Sequence, residues 1–150
     1  MTATVVPLRK KFDVPEFSDI RHCWDMVKPG IEFVLKQNPH LTYMPEDVFS
    51  ECSTGKSMLF TSGLGFVVLT VQEDPFTKEK VLVVWVAHMH EHGKHNWLDH
   101  IDWFEGVAKY CKCRFIEAQS AIPELGQYLS ANGWKQEATI YTREVKSDGQ

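Results

Sequence analysis

Residues 81–97, VLVVWVAHMHEHGKHNW, decide how the chain folds. The first seven are apolar without alternation, which predicts a central strand covered on both faces. Beyond them, Trp97, Ile101, Phe104, Ala108 and Cys111 follow at steps of four and three, one stripe of a helix over 97–111. Asn96 is placed to cap that helix, with Asp99 near its positive end. Between strand and helix lie His88, His90, His92, Gly93, Lys94 and His95. That composition suits a metal site, an anion-holding loop or a solvated turn.

Upstream, residues 4–12 suit a short edge strand in which Pro7 limits pairing. From Phe17 the spacing turns helical through Ile20, Cys23, Trp24, Val27, Ile31, Val34 and Leu35. Lys28-Pro29-Gly30 interrupts this stripe, so two short helices or one sharp kink are expected. Residues 44–57 suggest a helical turn and then a loop. Strands are expected at 57–62 and 66–71, joined by a turn at Gly63-Leu64-Gly65. Residues 72–80 form a polar hairpin connection into 81–87.

Downstream, 114–119 is strand-like, and Ser120 can cap a short helix carrying Ile122, Leu125 and Leu129. Asn132-Gly133 supplies a left-handed stop. Residues 139–145 alternate and predict a last strand, leaving 146–150 as a frayed tail. Strand, helix, strand in the middle implies a parallel crossover. The expected fold is α+β: a mixed, mostly antiparallel sheet flanked by helices, with a central β-α-β crossover, in one domain over 1–150.

The bulk numbers narrow the function. The chain has 150 residues, long enough to bury a sizeable core. Its net charge of −4 argues against general nucleic-acid binding, which needs surplus Lys and Arg. The N-terminal stretch lacks the apolar core of a signal peptide, and no run reaches membrane-spanning length, so a cytoplasmic protein is expected. Of four cysteines only Cys111 and Cys113 are close, with no second pair at zinc-finger spacing, which favours plain thiols over a structural metal. His88, His90 and His92 alternate onto one face, but extended backbone separates them by roughly 7 Å per step, so no metal is expected. The Ser-Thr-Gly-Lys-Ser run at 53–57 lacks the first glycine of a phosphate loop and precedes a strand instead of a helix.

With Gly93 between strand 81–87 and helix 97–111, this order resembles the GCN5-related N-acetyltransferase fold. Members carry Gln/Arg-x-x-Gly-x-Gly/Ala after their fourth strand, where main-chain amides and a helix N-terminus hold a pyrophosphate. On that pattern His90 takes the first position, Gly93 the first glycine, and His95 the last small residue, a departure. The family's Asn-x-x-Ala-x-x-x-Tyr-x-x-x-Gly-Phe segment corresponds to 122–134, IPELGQYLSANGW. Gly133 and Trp134 match its end; Ile122, Leu125 and Leu129 replace Asn, Ala and Tyr, and Tyr128 lies one residue early.

The resemblance implies acetyl-CoA held by Val86, Ala87, His88, His90, His92, Gly93, Lys94, His95 and Asn96. It also implies a pantetheine groove between strands 81–87 and 114–119. Transfer to an amine of a small molecule or protein then needs a base, for which His88 and Glu117 are the candidates, and an acid, for which Tyr128 is the candidate. The alternative is the same fold without catalysis, as a binding or structural module; small bacteriophage proteins, some packaged in virions, look similar. A homo-oligomer or a protein partner is compatible with the five tryptophans.

Overall fold

A computed structural model describes residues 14–90, 97–119 and 123–147. The chain divides into two compact units, Met1–Gln119 and Ser120–Gln150. The first holds a five-stranded sheet in the order β1-β2-β3-β4-β5, formed by β1 (Glu16–Ser18), β2 (Met58–Ser62), β3 (Gly65–Glu73), β4 (Lys80–Met89) and β5 (Phe115–Ala118). Its helices are α1 (Ile20–Gln37), α2 (Pro45–Ser53) and α3 (Ile101–Tyr110). Pairing is antiparallel from β1 to β4 and parallel between β4 and β5, so α3 lies in the expected crossover.

Helix α1 starts where the chemistry allows it to start. Asp19 keeps extended backbone, and its carboxylate accepts the Arg21 amide at 3.0 Å. The Arg21 guanidinium grips the same carboxylate at 3.0 and 2.8 Å. At the far end Asn38 stops the helix by donating its side-chain amide to the Val34 carbonyl at 2.8 Å.

Of the two outcomes expected at Pro29, separate helices do not form: α1 is one helix of 18 residues with Pro29 inside it. A proline in mid-helix costs about 3 kcal/mol through a lost hydrogen bond and a clash. Val27, Gly30 and Ile31, on either side of it, are buried, and Val27 and Ile31 pack in one cluster on the sheet, so burial on both sides offsets that cost. Gly30 is what lets the helix come so near. A β-carbon there would sit 2.5 Å from Phe66 Cε1 and 2.8 Å from His88 Cδ2.

Two apolar clusters sandwich the sheet. On one face Ile20, Val27, Ile31 and Val48 from α1 and α2 meet Leu59, Phe66, Val68 and Val86. On the other, Phe104 and Ala108 of α3, with Trp97, meet Val67, Leu69, Leu82 and Met89. Strand β4 contributes to both, as its unbroken apolar run requires. The tryptophans at 97 and 103 are packing residues here: Trp97 is 4% exposed, and Trp103 meets Phe60 and Phe104 edge-on at 5.0 and 4.9 Å.

Several expectations shift. The helix expected over 97–111 opens as a 3-10 turn, Trp97–His100, and becomes α-helical at Ile101. Its α-helical N-cap is His100, whose side chain makes no capping bond. Asn96, the expected cap, lies outside the described residues, as do the expected edge strand at 4–12 and Ser120. The helical turn after residue 44 is the full helix α2, with Pro45 at its first position.

In the second unit, α4 (Pro123–Ala131) is followed by Gly133 at φ 87°, the expected left-handed stop. The Trp134 amide closes it on the Leu129 carbonyl at 3.0 Å. Residues 139–145 form no strand, and Ile140, Tyr141 and Val145 are exposed. Alternation prepares a segment for pairing but supplies no partner, and a strand exists only in a ladder.

Gly30→Ala tests the helix–sheet contact: overpacking of about 1–3 kcal/mol is expected, outweighing the better helix propensity of alanine, and read by denaturant unfolding. Asp19→Asn keeps a capping oxygen but removes the Arg21 pairing. The Arg21 side-chain hydrogen bond, then its amide, lowers the Asp19 carboxyl to about 2. A depressed carboxyl stabilises above its unfolded value and loses that contribution as pH falls through the folded one. The stability gap between wild type and variant should therefore persist at pH 5 and close between about pH 4 and 2; a gap independent of pH would exclude the pairing as its source.

Candidate functional site at the end of strand β4

Strand β4 changes character at Trp85. Val68 opposes Val86 and Leu69 opposes Val84, so Trp85 is an extra residue without a partner on β3. Such a bulge leaves one residue outside the ladder, and bulges collect beside functional sites. On the opposite edge, β5 pairs only with residues 81 to 84, ending at Val84↔Ala118. From Trp85 onward β4 therefore has no β5 partner among the described residues. The ladder stops there because β5 itself ends at Ala118.

The Trp85 ring packs on Tyr43, in the segment between α1 and α2, at 5.3 Å between centroids. The Tyr43 hydroxyl is buried with no hydrogen-bond partner among the described residues. Desolvation pushes this phenol above its ordinary value. Sequence reasoning missed both residues. A bulge leaves no mark in a single sequence, because which residue is extra is settled by the facing strand.

The expected cofactor residues fall into two sets. Val86 is 1% exposed with its side chain in the α1 face, so only its main chain can meet a ligand. Ala87 packs on the opposite face, against the α3 cluster. His88 returns to the α1 side and sits between Phe33 and Phe66, with ring centroids at 5.5 and 5.6 Å. His90 follows on the same face, 5.9 Å from His88, as alternation requires. It is exposed, but its main-chain N–H donates to the Leu64 carbonyl at 2.8 Å, so this amide is already engaged. His92, Gly93, Lys94, His95 and Asn96 lie outside the described residues.

The two stems of that loop are tied together. The Trp97 indole N–H donates to the His88 carbonyl at 3.0 Å, joining the start of the 3-10 turn to the end of β4. Gly65 backs the same carbonyl so closely that a β-carbon would lie 2.0 Å from its oxygen. Asp99 and Asp102 stand in the first turns of this helical segment. They suit the helix dipole but oppose a second negative charge brought to the same end.

The two candidate bases, His88 and Glu117, lie at different levels of neighbouring strands. Glu117 is exposed and registers with Val83, five residues before His88 on β4. At about 3.3 Å per residue that is about 16 Å along the strand. Tyr128 belongs to α4 in the second unit, where its carbonyl accepts the Asn132 side-chain amide at 2.8 Å. Among the described residues no group of three or more His, Cys, Asp or Glu is gathered as a metal site would need. The Ser-Thr-Gly-Lys-Ser run is no phosphate cradle either: the amides of Lys56 and Ser57 both close on the Glu51 carbonyl at 3.0 Å.

Tyr43→Phe should leave stability unchanged or raise it by about 1 kcal/mol, since an unpaired buried hydroxyl carries a desolvation cost of about 1–3 kcal/mol. Urea unfolding measures this. A clear loss of stability would mean that the hydroxyl is hydrogen-bonded in solution.

No family model matches the sequence, and no curated protein matches it. Solved structures do. A protein described as a "probable acetyltransferase" aligns with TM-score 0.67 at 16% identity, over 89% of this chain and 99% of its own. Ribosomal-protein-alanine N-acetyltransferase from Brucella melitensis biovar Abortus 2308 aligns with TM-score 0.66 at 13% identity, over 89% and 99%. Integron cassette protein VCH_CASS6 from the V. cholerae mobile metagenome aligns with TM-score 0.59 at 14% identity, over 91% and 93%. With a mixed sheet, a parallel crossover through α3 and this likeness across nearly its whole length, the chain has the GCN5-related N-acetyltransferase fold.

Proposed function

We propose that this protein binds an acyl-coenzyme A, acetyl-CoA in the first instance, and transfers the acyl group to an amine of a small molecule or protein. The observation that carries the reading is a change in pairing at one residue: β4 skips Trp85 in its β3 ladder and, among the described residues, has no β5 partner beyond Val84. Main-chain groups released there can pair with the amide-bearing pantetheine arm, much as a strand edge pairs with an added strand. The residues offered for the cofactor are Val86 and Ala87 through their main chain, then His88, His90, His92, Gly93, Lys94, His95 and Asn96. The His90 amide is committed to Leu64, so its share would come from the imidazole.

The cofactor supplies a thioester carbon open to attack. The chain has to orient an amine against it, take up the proton and keep water away. His88 is the preferred base: an imidazole can take up a proton near neutral pH, and it stands three residues beyond the bulge in a wall made by Phe33 and Phe66. Glu117, about 16 Å back along the strand, is the weaker candidate. Tyr128 is the candidate acid for the departing thiolate.

A second reading keeps the fold as a non-catalytic binding module. Leu129 at the family's tyrosine position, His95 at its last small residue and the committed His90 amide favour it.

Melting with and without acetyl-CoA separates the two. A ligand that binds only the folded state raises Tm by an amount set by its concentration relative to Kd, here several degrees at saturation. Replacing Gly93 with tryptophan should remove the rise without lowering the Tm of the free protein. His88→Ala should abolish thiol release with an amine panel and lower the rise without removing it, since the other cofactor residues remain. No shift at millimolar acetyl-CoA would remove the transferase reading.

A further inference from the structure

Cys111 and Cys113 flank the turn that carries the chain from α3 into β5. The Lys112 amide bonds to the Lys109 carbonyl at 3.1 Å and the Cys113 amide to the Ala108 carbonyl at 2.8 Å. These two bonds form the helix-ending motif whose central residue is left-handed and usually glycine. Here that residue is Lys112, at φ 60°. A helical-type residue of either hand bends the chain so that its neighbours' Cα atoms lie about 5.5 Å apart, well short of the extended limit. That lies inside the roughly 4.4–6.8 Å span of a disulfide.

The side chains agree with the backbone. The Cys113 thiol donates to the Cys111 carbonyl at 3.9 Å, so it already turns back toward residue 111. Burial and then the neighbouring Cys111 push the Cys113 thiol up, while the Lys80 ammonium pulls the other way. Both cysteines are free and half-buried, within reach of a small reagent. Cys23 and Cys52 pack against the cluster on the other sheet face and do not compete for this pairing. Burial, with Glu51, holds the Cys52 thiol up at about 11.

We propose that Cys111 and Cys113 form a reversible intrachain disulfide by exchange with a low-molecular-weight disulfide such as oxidised glutathione. The Cys111 thiolate attacks one glutathione sulfur; the glutathione S–S bond breaks and one glutathione thiolate leaves. The Cys113 sulfur then attacks the Cys111 sulfur, forming the protein S–S bond and expelling the second glutathione. Two protein thiols are oxidised, one disulfide is reduced to two thiols, and the two protons pass to the departing thiolates. This site is separate from acyl transfer and stands whether or not that reading holds.

The whole protein, equilibrated in glutathione buffers of graded ratio and quenched with N-ethylmaleimide, tests it by mass spectrometry. Positions 111 and 113 should lose their alkylation together, while Cys23 and Cys52 keep theirs. Trypsin cleaves after Lys109, Lys112 and Arg114, so the fragments 110–112 and 113–114 should remain joined in the oxidised sample and separate after reduction. Cys113→Ser should instead hold a glutathione adduct on Cys111. Alkylation of both cysteines in the most oxidising buffer, or disulfides that only join two chains, would overturn the proposal.

Discussion

The number of partners that β4 has along its length is the constraint on which the rest depends. Over residues 81 to 84 it is held by β3 and β5 together, and beyond the bulge at Trp85, among the described residues, by β3 alone. The first half is fixed by two ladders and by apolar clusters on both faces. The second half keeps its place through one ladder and through side chains: Val86 and His88 on the α1 face, Ala87 and Met89 on the α3 face. A strand built in this way is rigid at its root and offers main-chain groups at its tip.

Packing against that tip accounts for features that look unrelated in the chain. Gly30 lets α1 come down on Phe66 and His88, and Gly65 lets β3 pass close to the His88 carbonyl. The same carbonyl takes the Trp97 indole, which ties the helical segment to the strand it follows. Three residues from three distant parts of the sequence thus converge on one position. An added methyl group at residue 30 disturbs the helix–sheet spacing and the candidate base together, because both depend on one van der Waals contact.

Electrostatics at the loop are mixed. The helical segment after it carries Asp99 and Asp102 in its first turns, and one nearby amide is committed internally. Imidazoles and Lys94 are what the sequence sets against them. An anion held there would depend more on side-chain charge, and less on bare main chain, than the family pattern of small residues implies. At the opposite end of α3 a lysine occupies a backbone position that glycine usually fills, and the Cys113 thiol turns back on the Cys111 carbonyl.

Much of the architecture was legible in the residues. The unbroken apolar run fixed β4 as an inner strand, the steps of four and three fixed α3, and their order forced a parallel crossover, because these signals are local and periodic. A division into two helices at Pro29 and the strand at 139–145 rest on equally local signals, and neither forms. In the first, packing on both sides of the proline outweighed its cost; in the second, no ladder partner came with the alternation. The histidines on one face of β4 followed from period two alone. The extra residue at Trp85, the Tyr43 hydroxyl without a partner among the described residues, the register of Glu117 with Val83 and the turn of the Cys113 thiol toward the Cys111 carbonyl did not. The sequence determines which faces are apolar and where the chain turns, whereas the assembled sheet decides register, and register sets which backbone groups are left to bind something else.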